Sequence, residues 1–195
     1  MRRLSIVALA AAVLCSSQAM AISTRHAWDG SQSVGPFGCP DSSTFGQVIT
    51  LPKFKSEIKQ FEFLLALTSG GKGAHTIRGE LYAWDPVNMR PTGNAIYESP
   101  QAPLKFGDSN FHRVTFYPFA TVQSNKQYVA FATVDKDYDA CQANPFTMKW
   151  AAVPDTTYAK GEFVYLDDVG DWTEWEITSW STANADLAFK VVVPH

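Results

Sequence analysis

Hydrophobic and polar residues alternate with a period of two along most of the chain after position 44. Side chains of an extended strand point alternately to opposite sides, so this pattern predicts β-strands and not helices. Gly, Pro, Asn and Asp separate the alternating runs, as is typical of turns. The predicted strands are 45–51, 57–67, 74–84, 95–98, 111–117, 127–134, 147–153, 162–167, 172–177 and 186–193.

One alternate set of positions in these strands is strongly apolar and is predicted to form the core. About ten short strands in a single domain require two packed sheets. The sequence therefore predicts an all-β fold, a two-sheet antiparallel β-sandwich with a Greek-key or jelly-roll arrangement, and leaves the strand order open. The predicted core residues are Phe61, Phe63, Leu65, Leu67, Val114, Phe116, Leu187, Phe189, Val191 and Val193.

The first residues are typical of a secretory signal peptide. Two arginines follow Met1, an apolar run covers 4–15, and Ala19-Met20-Ala21 fits an A-x-A cleavage site. The apolar run is shorter than the roughly 20 residues that span a bilayer. We therefore expect a signal peptide over 1–21, cleavage after Ala21, a single β-sandwich domain over 22–195, no membrane attachment of the mature chain, and secretion or a periplasmic location.

Cysteine placement adds one covalent restraint to this picture. Cys15 leaves with the signal peptide, so Cys39 and Cys141 remain in a compartment that permits oxidation. We predict that they form a disulfide, with two free buried thiols as the alternative. Closing a loop of about 100 residues stabilises a fold by on the order of 4 kcal/mol.

Charge and motifs narrow the function. The net charge is −3 and no basic cluster is present, which argues against a nucleic-acid partner. The serine-hydrolase, zincin, thioredoxin and phosphate-loop motifs are all absent from the sequence. We therefore predict that the chain is not an enzyme and needs no cofactor, with bound calcium as the one open possibility.

The calcium candidate is an acidic segment in which carboxylates alternate. Asp135, Asp137 and Asp139 could supply hard oxygen ligands, but the segment lacks the glycine and the distal Glu of an EF-hand. The alternative is an exposed loop beside Cys141. Asp167, Asp168 and Asp171 could form a second oxygen-rich turn.

Sugars bind proteins by stacking on exposed aromatic rings while polar groups take the hydroxyls. In strand 74–84 the inward positions leave Arg78, Glu80, Tyr82 and Trp84 on the outward face. This face is the predicted glycan-binding site. The tryptophans that could join it, or serve as core, are Trp28, Trp150, Trp172, Trp175 and Trp180.

Several segments in a preserved order also resemble a known family. The chain resembles bacterial exported β-sandwich domains found upstream of PEP-CTERM sorting signals, which are similar to galactose-binding-like jelly rolls. The resemblance implies a surface or extracellular protein of Gram-negative bacteria and supplies no catalytic residues. The sorting helix and its basic tail are absent from this sequence. The segments are 27–30, 44–47, 81–85, 92–93, 95–99, 127–131, 163–166 and 186–189.

Three functions follow as hypotheses. The first is a non-catalytic module that binds extracellular glycans. The second is a structural or adhesive surface protein. The third is a secreted glycan-active hydrolase or lyase, which would need two acidic groups converging in a cleft. The sequence leaves the ligand and the oligomeric state open.

Overall fold

The computed structural model describes residues 20–70, 75–106 and 108–194. Residues 1–19 of the predicted signal peptide, residues 71–74, which include the first residue of the strand predicted at 74–84, Gly107 and His195 lie outside the described residues. The predicted cleavage point after Ala21 lies inside the first strand, Met20–Ser23.

Strands dominate the part of the chain that the structure describes. Short helical segments lie between them: the 3₁₀ turns Arg25–Ala27, Asp135–Asp137, Asp155–Thr157 and Trp172–Glu176, and the α-helix α1, Tyr138–Ala143. The strands are β1 Met20–Ser23, β2 Ser33–Cys39, β3 Thr44–Thr50, β4 Glu57–Ile58, β5 Gln60–Gly70, β6 His75–Asp85, β7 Arg90–Glu98, β8 Ala102–Leu104, β9 His112–Phe116, β10 Ala120–Thr121, β11 Gln127–Thr133, β12 Phe146–Pro154, β13 Phe163–Leu166, β14 Ser181–Thr182, β15 Ala185–Leu187 and β16 Lys190–Val193.

These strands form two seven-stranded sheets. The first sheet has the order β1-β16-β5-β12-β15, with β2 paired to β12 and β9 paired to β5. The second sheet has the order β14-β13-β3-β11-β6-β7, with β8 paired to β6. Neighbours within both sheets run antiparallel. The predicted two-sheet antiparallel β-sandwich is confirmed.

The core between the two sheets contains the apolar positions that the alternation predicted. Phe61, Phe63 and Leu65 of β5 are fully buried, and Leu67 packs half-buried against the same cluster. The sheets approach closely at Gly79 of β6, where an added Cβ would lie 2.3 Å from the Phe116 ring of β9. The other predicted core residues, Val114, Phe116, Leu187, Phe189, Val191 and Val193, are also buried there.

The predicted disulfide is confirmed. Cys39 at the end of β2 is bonded to Cys141 in α1, with a Cα–Cα distance of 6.0 Å and a sequence separation of 102. The bond therefore ties an edge of the first sheet to the helix that follows the acidic segment 135–139. Nowhere in 20–70, 75–106 and 108–194 does a helix combine the length and apolar character needed to cross a bilayer.

The strand predicted at 172–177 is wrong. Trp172–Glu176 is a 3₁₀ helix in which the side chain of Asp171 accepts a hydrogen bond from the backbone N–H of Thr173. This cap satisfies a free donor at the start of the helix. Residues three apart lie on one side of a 3₁₀ helix, which places Trp172 and Trp175 together. The spacing of these two tryptophans is that of a helix and not the alternation of a strand.

Candidate functional site

The predicted glycan-binding face lies on the outer side of the second sheet, as the alternation of β6 indicated. The prediction that this face is exposed is wrong for three of its four residues. Glu80 is fully buried, and Tyr82 and Trp84 are each only 5% exposed. Arg78 is half-buried. Two aromatic rings that were predicted as sugar platforms are therefore covered by other parts of the chain.

The cover is the segment 172–180. Trp175 and Trp180 place their ring centroids 5.0 Å and 5.1 Å from that of Phe131 in β11. Trp180 also packs against Trp84, with centroids 5.9 Å apart. We call Tyr82, Trp84, Phe131, Trp175 and Trp180 the outer aromatic cluster; all five are buried. Tyr82 and Trp84 thus stabilise the fold.

The charged end of the same face forms an ion-pair network. Arg78 donates from Nε to Asp137 Oδ2 at 2.7 Å and from a terminal nitrogen to Asp137 Oδ1 at 3.1 Å. Lys136 Nζ lies 2.6 Å from Glu98 Oε2 and 3.3 Å from Glu80 Oε1. This network joins β6 and β7 to the 3₁₀ turn Asp135–Asp137.

Burial and charge move the pKa values in this network in opposite directions. Burial raises the pKa of Glu80 to about 8, although Lys136 partly offsets the shift. Burial would also raise the pKa of Asp137, but hydrogen bonds from Arg78 and Gln101 hold it below its usual value. The hydrogen bond to Asp137 in turn raises the pKa of Arg78. Among the carboxyls of this network, Glu80 is therefore the one that holds a proton near neutral pH.

A cleft of about 440 Å³ opens beside this network. Trp172 stands at its wall and is 49% exposed. Lys136 Nζ lies 5.3 Å from the Trp172 ring centroid and 5.2 Å from that of Trp175, within cation–π range. We call this cavity the acidic cleft; its lining residues are Asp135, Lys136, Asp137, Tyr138, Asp139, Ala140, Val169, Gly170 and Trp172.

Two carboxyl groups meet below the acidic cleft. Ser43 Oγ donates to Asp168 Oδ1 at 2.6 Å. Thr44 Oγ1 and Trp175 Nε1 donate to Asp135 Oδ2 at 2.7 Å and 2.9 Å. The remaining oxygens, Asp135 Oδ1 and Asp168 Oδ2, are buried and have no donor among the described residues.

A shared proton explains these two oxygens. An ionised carboxylate only accepts hydrogen bonds, whereas a protonated one also donates. Burial, followed by the charge of Asp135 and a hydrogen bond to it, raises the pKa of Asp168 to about 7. One proton between the two carboxyls therefore satisfies both oxygens, as in other pairs of adjacent carboxyls.

The predicted calcium site is wrong in its geometry. Asp135 turns inward to Asp168, Asp137 pairs with Arg78, and Asp139 is exposed in the first turn of α1. The segment is helical, so alternate side chains do not converge as they would on an extended loop. The described stretches of chain contain no group of three or more His, Cys, Asp or Glu side chains placed to hold a metal ion.

Sequence reasoning missed the partnership of Asp135 and Asp168. The two residues lie far apart in sequence, so no local spacing could reveal it. The loop that carries Asp168 has an unusual backbone: Val169 and Gly170 have φ angles of 54° and 89°. A positive φ is strained for a β-branched residue. An added Cβ at Gly170 would lie 2.5 Å from the Tyr138 ring, so the loop packs tightly on α1.

Comparisons with known proteins add little to this site. No protein-family model matches the chain, and no curated protein matches it in sequence. Among solved structures, the chain is similar to the cysteine protease and lectin-like domains of Cwp84, a surface layer associated protein of Clostridium difficile. The identity is 11% and the TM-score 0.45, over 78% of this chain and 32% of that one. This chain thus spans 32% of that chain's length, and the likeness establishes neither a family nor a function.

Proposed function

We propose that the chain is an extracellular, non-catalytic β-sandwich module that binds glycans in the acidic cleft, with Trp172 as the stacking platform. The observation that carries this proposal is the half-exposed indole of Trp172 beside a polar cavity. The proposed binding site is therefore not the outward face of β6 but the acidic cleft beside the segment that covers that face.

The chemistry of the cleft fits a sugar. A sugar ring has an apolar face that stacks on an indole and hydroxyls that need donors and acceptors. Trp172 and the 69% exposed Val169 supply apolar surface. Lys136, Asp137 and Asp139 line the same cavity and supply a donor and acceptors.

The carboxyl pair supports binding without hydrolysis. Glycoside hydrolysis places a sugar between two carboxyls about 5 to 10 Å apart. Asp135 and Asp168 instead interact with each other, and one oxygen of each is buried without a donor among the described residues. No sugar fits between groups in direct contact. The proposal therefore keeps these residues structural.

We also propose that the chain is secreted or periplasmic and that it is related to the PEP-CTERM-associated β-sandwich domains. A disulfide persists in oxidising compartments, which supports secretion or a periplasmic location. The net charge of −3 gives no support to a nucleic-acid partner.

A second candidate function, adhesion to another protein, has its own observation. Tyr117 and Phe119 are 55% and 64% exposed, and their rings stack with centroids 6.3 Å apart. An exposed pair of stacked aromatic rings is typical of protein contacts as well as of sugar contacts. This pair belongs to neither the outer aromatic cluster nor the lining of the acidic cleft.

A glycan array with matched variants tests the proposal. Wild type, Trp172→Ala and Phe119→Ala are compared, each checked for an unchanged thermal transition. We expect wild type and Phe119→Ala to bind the same glycans and Trp172→Ala to lose at least about tenfold in affinity, as for one lost stacking contact. No binding by wild type would overturn the proposal. Loss in Phe119→Ala with retention in Trp172→Ala would move the site to the Tyr117 and Phe119 pair.

A further inference from the structure

The loop 167–172, which we call the latch loop, carries both the half-buried Asp168, whose Oδ2 is buried, and the exposed indole of Trp172. Two contacts hold this loop in the position in which it lines the acidic cleft. Asp168 accepts a hydrogen bond from Ser43 and meets Asp135. Gly170 lies against the Tyr138 ring, close enough that no side chain fits between them. Release of Asp168 would therefore displace a wall of the acidic cleft.

We propose that the Asp135–Asp168 pair is a proton-operated latch: with one shared proton it holds the latch loop over the cleft, and without that proton it releases the loop and Trp172. The latch regulates the cleft of the proposed function. Release of the latch loop is measured without any ligand. The latch can therefore be disproved while glycan binding holds, and glycan binding can be disproved while the latch holds.

The geometry makes the pair depend on its proton. Each carboxyl already accepts hydrogen bonds on its outer oxygen, from Ser43 on one side and from Thr44 and Trp175 on the other. The other oxygens, Asp135 Oδ1 and Asp168 Oδ2, are buried without a donor among the described residues, and the two carboxyls lie close enough to interact. When the proton leaves, two acceptors with negative charge adjoin and no donor remains between them.

The surrounding charges do not replace the proton. On the acidic segment and α1, Lys136 is paired with Glu80 of β6 and Glu98 of β7, while Asp137 is paired with Arg78 of β6. The neighbours Ser43, directly before β3, Thr44 of β3 and Thr133 of β11 are uncharged. The remaining titratable groups nearby are Tyr138 and Asp139 on α1, Asp167 and Asp171 on the latch loop, and Glu174 and Glu176 on the 3₁₀ helix that follows.

The direction of the effect follows from linkage. The raised pKa of Asp168, about 7, means that the closed loop binds a proton that the released loop gives up. The closed state is therefore favoured at low pH, weakens as the pH rises from about 4 towards 7, and does not weaken further above that. The contrast between pH 5 and pH 8.5 covers most of this range.

Hydrogen exchange of the latch loop, followed by mass spectrometry at pH 5 and pH 8.5 and corrected for the intrinsic pH dependence of exchange, measures the release. In the wild-type mature chain we expect protection of 167–172 to fall by at least about tenfold at the higher pH. Asp168→Asn supplies a permanent N–H donor to Asp135, and we expect its protection to change by less than about twofold. Asp168→Ala removes the donor and should expose the loop at both pH values.

Two control variants keep the result specific. Asp167→Asn alters an exposed carboxyl on the same loop, and Glu80→Gln alters the other buried carboxyl near the cleft. Both should keep the wild-type pH response. The latch is overturned if wild-type protection does not change with pH, or if Asp168→Asn responds as wild type does. A response abolished by Glu80→Gln and retained by Asp168→Asn would also overturn it and assign the effect to Glu80.

Discussion

The two faces of the second sheet are both buried, but they are covered in different ways. The inner face packs against another seven-stranded sheet, and hydrogen-bond ladders hold the strands on both sides. The outer face packs against the segment 172–180, which has one short 3₁₀ helix and few backbone bonds to the sheet region, such as Trp180 N–H to Met89 O at 2.7 Å. The inner contact is therefore part of the global fold, whereas the outer cover can open locally.

The polar groups of the two regions differ in the same way. Between the sheets, Asp186 accepts hydrogen bonds from Gln47 and from the backbone of Tyr158, so both of its oxygens are satisfied. Under the outer cover, Glu80 keeps one buried oxygen without a donor among the described residues, and Asp168 needs a shared proton. The two carboxyls whose pKa values are raised furthest, to about 8 in Glu80 and to about 7 in Asp168, thus belong to the outer region, whereas the pKa of Asp186 is raised only to about 6.

The largest expected effect comes from the inner region. Trp150 is fully buried, with ring centroids 5.1 Å from Phe37 and 4.9 Å from Phe63. We expect Trp150→Ala to lower the free energy of unfolding by about 4 kcal/mol, because a large cavity would remain between two sheets that cannot collapse on it. Urea unfolding followed by far-UV circular dichroism measures this loss. A loss below about 1 kcal/mol would contradict the distinction between the two regions.

The matching substitution in the outer region should cost less and act locally. Trp84 packs on Trp180, and the segment 172–180 can relax when that contact is lost. We expect Trp84→Ala to lower the free energy of unfolding by about 2 kcal/mol. Hydrogen exchange should show lost protection in 172–180 while β5 and β12 stay protected. Equal loss of protection in both sheets would show that the cover is as integral as the core.

The difference between the inner and outer regions also explains which parts of the fold could be predicted from the sequence. The alternation of Phe61, Phe63 and Leu65 predicts burial because a regular strand fixes where each side chain points. In β6 it also places Tyr82 and Trp84 on the face opposite the core, which is correct. What lies against that face depends on a segment about 90 residues further along the chain, and no strand-pairing rule reports it.

The candidate site shows the same limit. The pairing of Cys39 with Cys141 could be predicted because these are the two cysteines outside the predicted signal peptide. Asp135 and Asp168 belong to two acidic segments that had each been considered for calcium, but their contact arises from tertiary packing. The spacing of Trp172 and Trp175 with Asp171 ahead of them was the one local signal for the 3₁₀ helix.

A smaller effect is expected from pH, and it belongs to the outer region. The pKa of Glu80 is raised from 4.5 to about 8, so the folded chain keeps a proton that the unfolded chain releases. Stability from this group is complete below about pH 4.5 and is lost as the pH rises through about 8. We expect the free energy of unfolding to fall by about 1 to 2 kcal/mol between pH 6.5 and 8.5, and Glu80→Gln to reduce that slope.

Asp186 provides the internal control for this pH effect. Burial raises its pKa to about 6, so its contribution is lost mainly below the window chosen for Glu80. Asp186→Asn should therefore change the pH dependence of urea unfolding below about pH 6 and leave the slope from 6.5 to 8.5 as in wild type. A slope that vanished in Asp186→Asn would place the pH-sensitive group between the sheets.

The smallest expected effect on stability is at Trp172, next to the cover but outside its buried part. Trp172 is 49% exposed, while its helical neighbour Trp175 is 1% exposed and donates to Asp135. We expect Trp172→Ala to change the free energy of unfolding by less than about 0.5 kcal/mol and Trp175→Ala to lower it by more than about 2 kcal/mol, as thermal denaturation can show. A large loss of unfolding free energy in Trp172→Ala would show that this tryptophan belongs to the buried cover. A loss of glycan binding in the same variant would then be explained by displacement of the latch loop and not by the missing stacking platform.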